Sequence, residues 1–279
     1  MKLTRDDVES YLEVMREQEK SKNTISKYRT ELFRLLEHLE HDFDSELDRE
    51  GLLNYKESLR VMRALGSVNS ALSAINNLTG HLGRPDLKLK LLKSQKQFFR
   101  QDSKSLTRDD YNRLVRTARR LDKTRTALVL ETLGATGIRI SELGYITCEA
   151  VSAGQVHIDL KGKTRVILLP SRLRRKLSEY ISATGVKTGA VFRTRTGGEL
   201  SRQQVWREMK QLCRVCNIPD SKVYPHNFRH MFACVFYENT HDLVALSNML
   251  GHSSIETTRI YLAQSDIESV KKLDALNLC

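Results

Sequence analysis

The chain has 279 residues, with 46 Lys+Arg against 34 Asp+Glu, a net charge of +12 and a pI near 9.5. That length allows one large or two medium domains with sizeable cores, and the charge points to a polyanionic partner. No apolar run is long enough to cross a bilayer, so no membrane partner is expected, and five cysteines, an odd number, argue against a disulfide scaffold.

The opening Met1-Lys2-Leu3-Thr4-Arg5-Asp6-Asp7 leads straight into a charged helix. No export signal is therefore expected, and the cytoplasm is the expected compartment. Four apolar stripes follow at helical spacing: Val8, Tyr11, Leu12, Met15; then Ile25, Tyr28, Leu32, Leu35, Leu39; then Leu52, Tyr55, Leu59, Met62; then Val68, Leu72, Ile75, Leu78. Asn23 and Thr24 are candidate N-caps for the second helix, and Gly66-Ser67 punctuates the last pair. Charge switches sign near residue 50. Residues 1–50 carry 9 Lys+Arg against 14 Asp+Glu, and residues 51–100 carry 9 against 2. A compact helical bundle with one basic half is expected.

Residues 84–105 are basic. Lys88, Lys90, Lys93, Lys96 and Arg100 are candidate contacts to a polyanion, on either an extended linker or a solvated helix face. A second domain starts near Ser105. Thr107 begins a helix, with Asp110 in the capping-box position. Residues 125–134 predict a buried helix ended by Gly134 or Gly137. Val156, Ile158 and Leu160 alternate as a strand. Val166 and Leu168, with Ile167 and Leu169, make a second strand closed by Pro170, across a Lys161-Gly162-Lys163-Thr164 turn. Residues 171–183 and 201–216 read as helices, with a short hairpin around Val191, Phe192 and Gly197-Gly198 between them. The rest reads helical, ending in an amphipathic tail with Ile267, Val270, Leu273 and Leu276.

Three segments carry the chemistry: Ala135-Thr136-Gly137-Ile138-Arg139-Ile140-Ser141-Glu142-Leu143, His226-Asn227-Phe228-Arg229, and Leu250-Gly251-His252 running to Tyr261. Arginines hold a phosphate by bidentate contact. A phenol can attack phosphorus and keep the product covalently bound. On a basic chain the set suggests an enzyme that breaks and rejoins a nucleic-acid backbone. Each residue alone has an ordinary explanation: a surface ion pair for Arg139, core packing for Tyr261, a helix start for His252. Those explanations do not account for the joint order.

A rival pattern is zinc. Cys213, Cys216, His226 and His230 read C-x2-C-x9-H-x3-H. The loop is short for a finger, Asp220 stands where an aromatic core residue belongs, and both cysteines fit the apolar face of the 201–216 helix. No metal and no other cofactor is expected.

The three segments resemble the boxes of the tyrosine recombinases, the phage-integrase family of site-specific DNA recombinases. The first matches A-T-G-x-R-x-S-E-L, the second H-x-x-R, and the third L-G-H-x-s-x-x-T-T-x-x-Y; the basic turn at 161–165 is similar to the family's lysine hairpin. The motifs cover residues 105–265. The resemblance implies a mainly α fold: a helical, SAM-like core-binding bundle over residues 1–98, a basic linker over 99–105, and a mainly helical catalytic domain with a small antiparallel sheet over 106–279. The two domains would clamp a duplex.

It further implies that Arg139 and Arg229 stabilise phosphate charge and Tyr261 attacks phosphorus. His226 would take the tyrosine proton or bind the phosphate, and His252 would donate to a phosphate oxygen. A hairpin lysine would protonate the leaving 5′ oxygen. Lys161 begins the turn and is favoured, while Lys163 stays open and is otherwise a backbone contact. Glu142 would orient an arginine. The implied partners are double-stranded DNA core sites, with a homotetramer on two sites and a monomer or dimer without DNA, associated with the nucleoid. A type IB topoisomerase and a catalytically silent DNA-binding regulator are the alternatives.

Overall fold

The computed structural model describes residues 1–44, 46–93, 105–160, 163–251 and 254–259. The chain forms two compact units, residues 1–96 and 97–279. Both are mainly helical, and the described strands form a two-stranded antiparallel sheet. No helix among the described residues is long and apolar enough to cross a membrane.

The first unit contains α1 (Arg5–Glu17), α2 (Lys22–Asp42), α3 (Arg49–Met62) and α4 (Leu65–His81). Leucine-rich stripes bury against one another, with Leu12, Leu32, Leu35, Leu39, Leu52, Leu72 and Ile75 fully enclosed. Several local expectations shift. Ser21, not Asn23 or Thr24, caps α2, because its hydroxyl stands three residues before the Thr24 N–H that it accepts at 3.2 Å. Met62 is 71 % exposed, since α3 ends there and the chain turns away at Arg63 and Ala64. Gly66 and Ser67 lie inside the first turn of α4.

After α4 a short 3-10 helix (Pro85–Leu87) leads into residues 88–93, which are neither helix nor strand. Leu87 and Leu89 are buried while Lys88, Lys90 and Lys93 are exposed. Two asparagines seven residues apart on α4 hold this segment. Asn76 accepts from the Leu89 N–H at 2.7 Å and donates to its carbonyl at 2.9 Å. Asn69 does the same for Leu92 at 2.8 and 2.9 Å. Seven residues are about two helical turns, so both amides sit on one face.

The second unit is built around α6 (Thr124–Thr136), which is buried on nearly all sides. It packs against α5 (Arg108–Arg120), α8 (Ser171–Thr184), α9 (Arg202–Cys216) and α10 (Pro225–Thr240). Thr107 and Asp110 form the expected capping box on α5. A 3-10 helix (Ile140–Tyr145) and α7 (Cys148–Ala153) lead into β1 (Gln155–Leu160) and β2 (Lys163–Leu168), whose register runs from Gln155↔Leu168 to Leu160↔Lys163. On β2 it is Ile167, with Leu169 just beyond, that faces the core; Val166 and Leu168 are exposed. A bridge between Arg193 and Glu199 closes the short hairpin after Phe192. The unit continues through α11 (Leu243–Leu250) and α12 (Ile255–Arg259). The tail stripe from Ile267 to Leu276 lies outside the described residues.

Candidate active site

The site grows from helix ends. α6 stops at Gly137, whose φ of +60° is left-handed and whose N–H donates to the Leu133 carbonyl at 3.1 Å. A Cβ there would also stand 2.5 Å from the Phe232 ring, so both conformation and space demand glycine. Ile138 is buried next to it, and Arg139 opens the following 3-10 helix in extended geometry.

Arg139 and Glu142 are locked together. The Arg139 N–H donates to Glu142 Oε2 at 2.8 Å, and Arg139 Nη1 donates to Oε1 at 3.0 Å. The Glu142 side chain is 3 % exposed and that of Arg139 is 41 % exposed, so the carboxylate works from beneath while the guanidinium reaches solvent. The expected orienting role of Glu142 would act through these hydrogen bonds.

Arg229 sits on α10, one turn after His226. Its residue surface is 3 % exposed. Nη1 donates to the Gly137 carbonyl at 2.7 Å and Nη2 to the Leu250 carbonyl at 2.5 Å. One guanidinium thus joins the C-terminal ends of α6 and α11, where helix dipoles favour a cation. The fork spans both carbonyls, which a single ammonium would not do.

His226 is exposed at the surface, yet its pKa is held below the usual histidine value. Partial desolvation is the largest cause, followed by the positive charges of Arg229 and Arg139. A neutral imidazole at neutral pH can accept a proton.

Arg165, on β2, was not singled out by sequence reasoning. Its Nη2 donates to Glu142 Oε2 in a short contact, and its Nη1 donates to the Met249 carbonyl at 3.0 Å. The only signal for it was membership of the basic hairpin. Lys163 begins β2, and Lys161, His252, Tyr261, Lys96 and Arg100 lie outside the described residues. Lys88, Lys90 and Lys93 belong to the first unit. The structure therefore brings together Arg139, Glu142, His226 and Arg229, and adds Arg165.

The zinc pattern is spread over different surroundings. Cys213 and Cys216 are buried on α9, and Cys216 Sγ lies 3.8 Å from the Arg113 carbonyl. Burial pushes the Cys213 thiol up to about 11. His230 Nδ1 pairs with Cys234 Sγ at 3.4 Å. Among the described residues no three His, Cys, Asp or Glu side chains gather as a ligand set.

The chain that carries this site has known relatives. Residues 104–268 match the phage integrase family. The tyrosine recombinase XerD of Halalkalibacterium halodurans is 32 % identical over 264 residues, covering 86 % of this chain and 87 % of the relative. The tyrosine recombinase XerA of Pyrococcus furiosus is 30 % identical over 267 residues, covering 92 % and 87 %. A lambda integrase dimer, solved bound to a COC′ core site, superposes with a TM-score of 0.76 at 14 % identity, covering 94 % of this chain and 95 % of that one; this likeness concerns the fold. The chain belongs to the phage integrase family of tyrosine recombinases, and it is a site-specific recombinase enzyme.

Proposed function

We propose that the protein cuts and reseals double-stranded DNA at short core sites by two successive transesterifications at Tyr261. In the first, the Tyr261 oxygen bonds to phosphorus and the P–O5′ bond breaks. The phenol proton passes to His226, and a hairpin lysine, Lys161 in preference to Lys163, protonates the departing 5′ oxygen. In the second, a 5′ hydroxyl of the partner strand attacks the 3′-phosphotyrosine, the P–O(Tyr) bond breaks and the phenol is restored. Arg139 and Arg229 stabilise charge on the nonbridging oxygens, and His252 donates to one of them. The phosphotyrosine retains the energy of the broken bond, so joining requires neither ATP nor a metal.

The reading extends to assembly and place. The bundle of residues 1–98 grips the core site, the basic linker over 99–105 crosses the duplex backbone, and Lys88, Lys90, Lys93, Lys96, Arg100 and Lys163 contact phosphates. Residues 106–279 catalyse. Four copies on two sites exchange strands through a Holliday junction, in the cytoplasm on the nucleoid. One observation carries the proposal: Arg229, one helical turn from His226, donates to the carbonyl of Gly137, two residues before an Arg139 that is open to solvent and paired to a buried carboxylate. That arrangement suits an anion that gains charge during reaction.

The test uses a core site selected from random duplexes by binding and then nicked to trap the intermediate. Wild-type protein should give a covalent adduct resistant to denaturant, with a free 5′ hydroxyl. Tyr261→Phe should bind the site and form none. An adduct with the Phe variant removes Tyr261 as nucleophile. Relaxation of a plasmid lacking any core site would favour the topoisomerase reading.

A further inference from the structure

We propose that Arg165 is a positioning residue that fixes the β1–β2 hairpin against both the Arg139–Glu142 pair and the end of α11. The proposal rests on the functional reading above, in which those three elements supply the hairpin lysine, Arg139 and, just beyond Gly251, His252.

Three contacts carry it. First, Glu142 is 3 % exposed and accepts from Arg139 through its backbone and side chain and from Arg165 Nη2. The carboxylate is thus shared between the two guanidinium groups. Second, Arg165 Nη1 donates to the Met249 carbonyl in the last turn of α11 at 3.0 Å. A cation suits that helix end. Third, Gly251 has φ +62°, and a Cβ there would stand 2.4 Å from Arg165 Cδ. The arginine stem therefore lies directly on the backbone of the residue that precedes His252. Arg165 itself stands on β2 opposite Ile158, two residues from Lys163 and four from Lys161.

Burial makes this arrangement costly. The Arg165 side chain is 11 % exposed, and desolvation lowers its pKa against the opposing pull of Glu142. A buried ion pair contributes little stability compared with apolar packing of the same volume. What the planar fork supplies is direction, because it holds two acceptors on two different elements at fixed angles. Arg165 would therefore act through the groups it holds, without touching the DNA.

The experiment compares single-turnover cleavage of the selected, nicked core site carrying either oxygen or sulfur at the bridging 5′ position. Sulfur leaves without a proton, so it isolates the lysine's step. For Arg165→Met, DNA affinity should stay within about threefold of wild type. Cleavage of the oxygen substrate should fall about 100-fold, the lower end of what general-acid catalysis supplies. The loss on the sulfur substrate should be at least about tenfold smaller. Arg165→Lys should lie between, because one ammonium does not span both acceptors. If Arg165→Met fails to fold, the Arg165→Met, Glu142→Gln pair removes the unbalanced buried charge and should show the same substrate difference. Equal losses on both substrates, a parallel loss of affinity, or an unchanged rate would each overturn the proposal. A wild-type protein that forms no Tyr261 adduct would instead defeat the functional reading on which it rests.

Discussion

The bundle of residues 1–93 and the unit described from residue 105 onward treat buried charge in opposite ways. Among the described residues of the bundle, Glu31 is the one buried charged group, held by Arg63 at 2.7 Å and Arg34 at 3.4 Å. Its core is otherwise apolar stripe against apolar stripe. The second unit buries Glu131, Glu142 and Arg229. Glu131 is paired with Arg119 at 2.8 Å and Lys176 at 2.6 Å, Glu142 is paired with two arginines, and Arg229 donates to two helix-end carbonyls. Desolvating ions is costly, and apolar residues of similar volume would stabilise as well or better. The second unit therefore keeps charges for what they hold in place, whereas the bundle is organised for stability and for presenting a basic strip.

The contrast is sharpest at the arginines. Arg139→Lys and Arg229→Lys should each lower cleavage by about 10²–10³-fold, the usual effect of removing one donor from a charge-stabilising site. They should differ in stability. Arg229→Lys loses one of two buried carbonyl contacts and should cost about 1–3 kcal/mol, while solvent-open Arg139→Lys should cost much less. Denaturant titration beside single-turnover kinetics would check this, and equal destabilisation would erase the distinction.

The converse holds in the bundle. Leu72→Ala, at a fully enclosed position on α4, should cost about 2–5 kcal/mol yet leave the cleavage rate of folded, DNA-saturated protein unchanged. A large fall in that rate would mean that bundle packing reaches the chemistry. A smaller effect is expected at Asn76→Ala, which removes both hydrogen bonds to the buried Leu89 backbone. It should cost about 1–3 kcal/mol, speed hydrogen exchange at the Leu89 amide and weaken DNA binding by releasing the Lys88–Lys90 strip. Unchanged exchange would show that the strip is held by its leucines alone.

The smallest effect is a titration. His226 should titrate below the ordinary histidine value in the folded protein, and Arg139→Gln should move it upward by removing one of the two like charges that depress it. Because the folded pKa lies below the unfolded one, stability from the neutral ring is present above the unfolded pKa. It is lost as pH falls toward the folded value. Histidine NMR would follow both, and a value unmoved by Arg139→Gln would leave desolvation and Arg229 as the whole cause.

Much of this molecule was legible in the chain because it is local. The apolar periods of α1 to α4 need only neighbours three and four residues away. The Thr107–Asp110 cap spans three residues, and Gly137 ends its helix through its own φ. The three boxes likewise announced Arg139, His226 and Arg229 by spacing, and with them the family. The exposure of Met62, the choice of Ser21 as cap and the division of β2 into an outer Val166 and Leu168 and an inner Ile167 and Leu169 depended on where the chain turned.

The sequence by itself determined the apolar stripes of the helices and the family, and it marked the side chains proposed to carry the chemistry, because periodicity, capping and motif spacing are short-range properties of the chain. Only the tertiary structure decided that Arg229 lies buried between the carbonyls of Gly137 and Leu250, 92 and 21 residues away. It alone also decided that Arg165 meets Glu142 and Met249 across 23 and 84 residues. Helix-end carbonyls and a buried carboxylate become partners only after separate elements pack. The acceptors that choose an arginine's role are therefore set by three-dimensional proximity, for which linear spacing carries no signal.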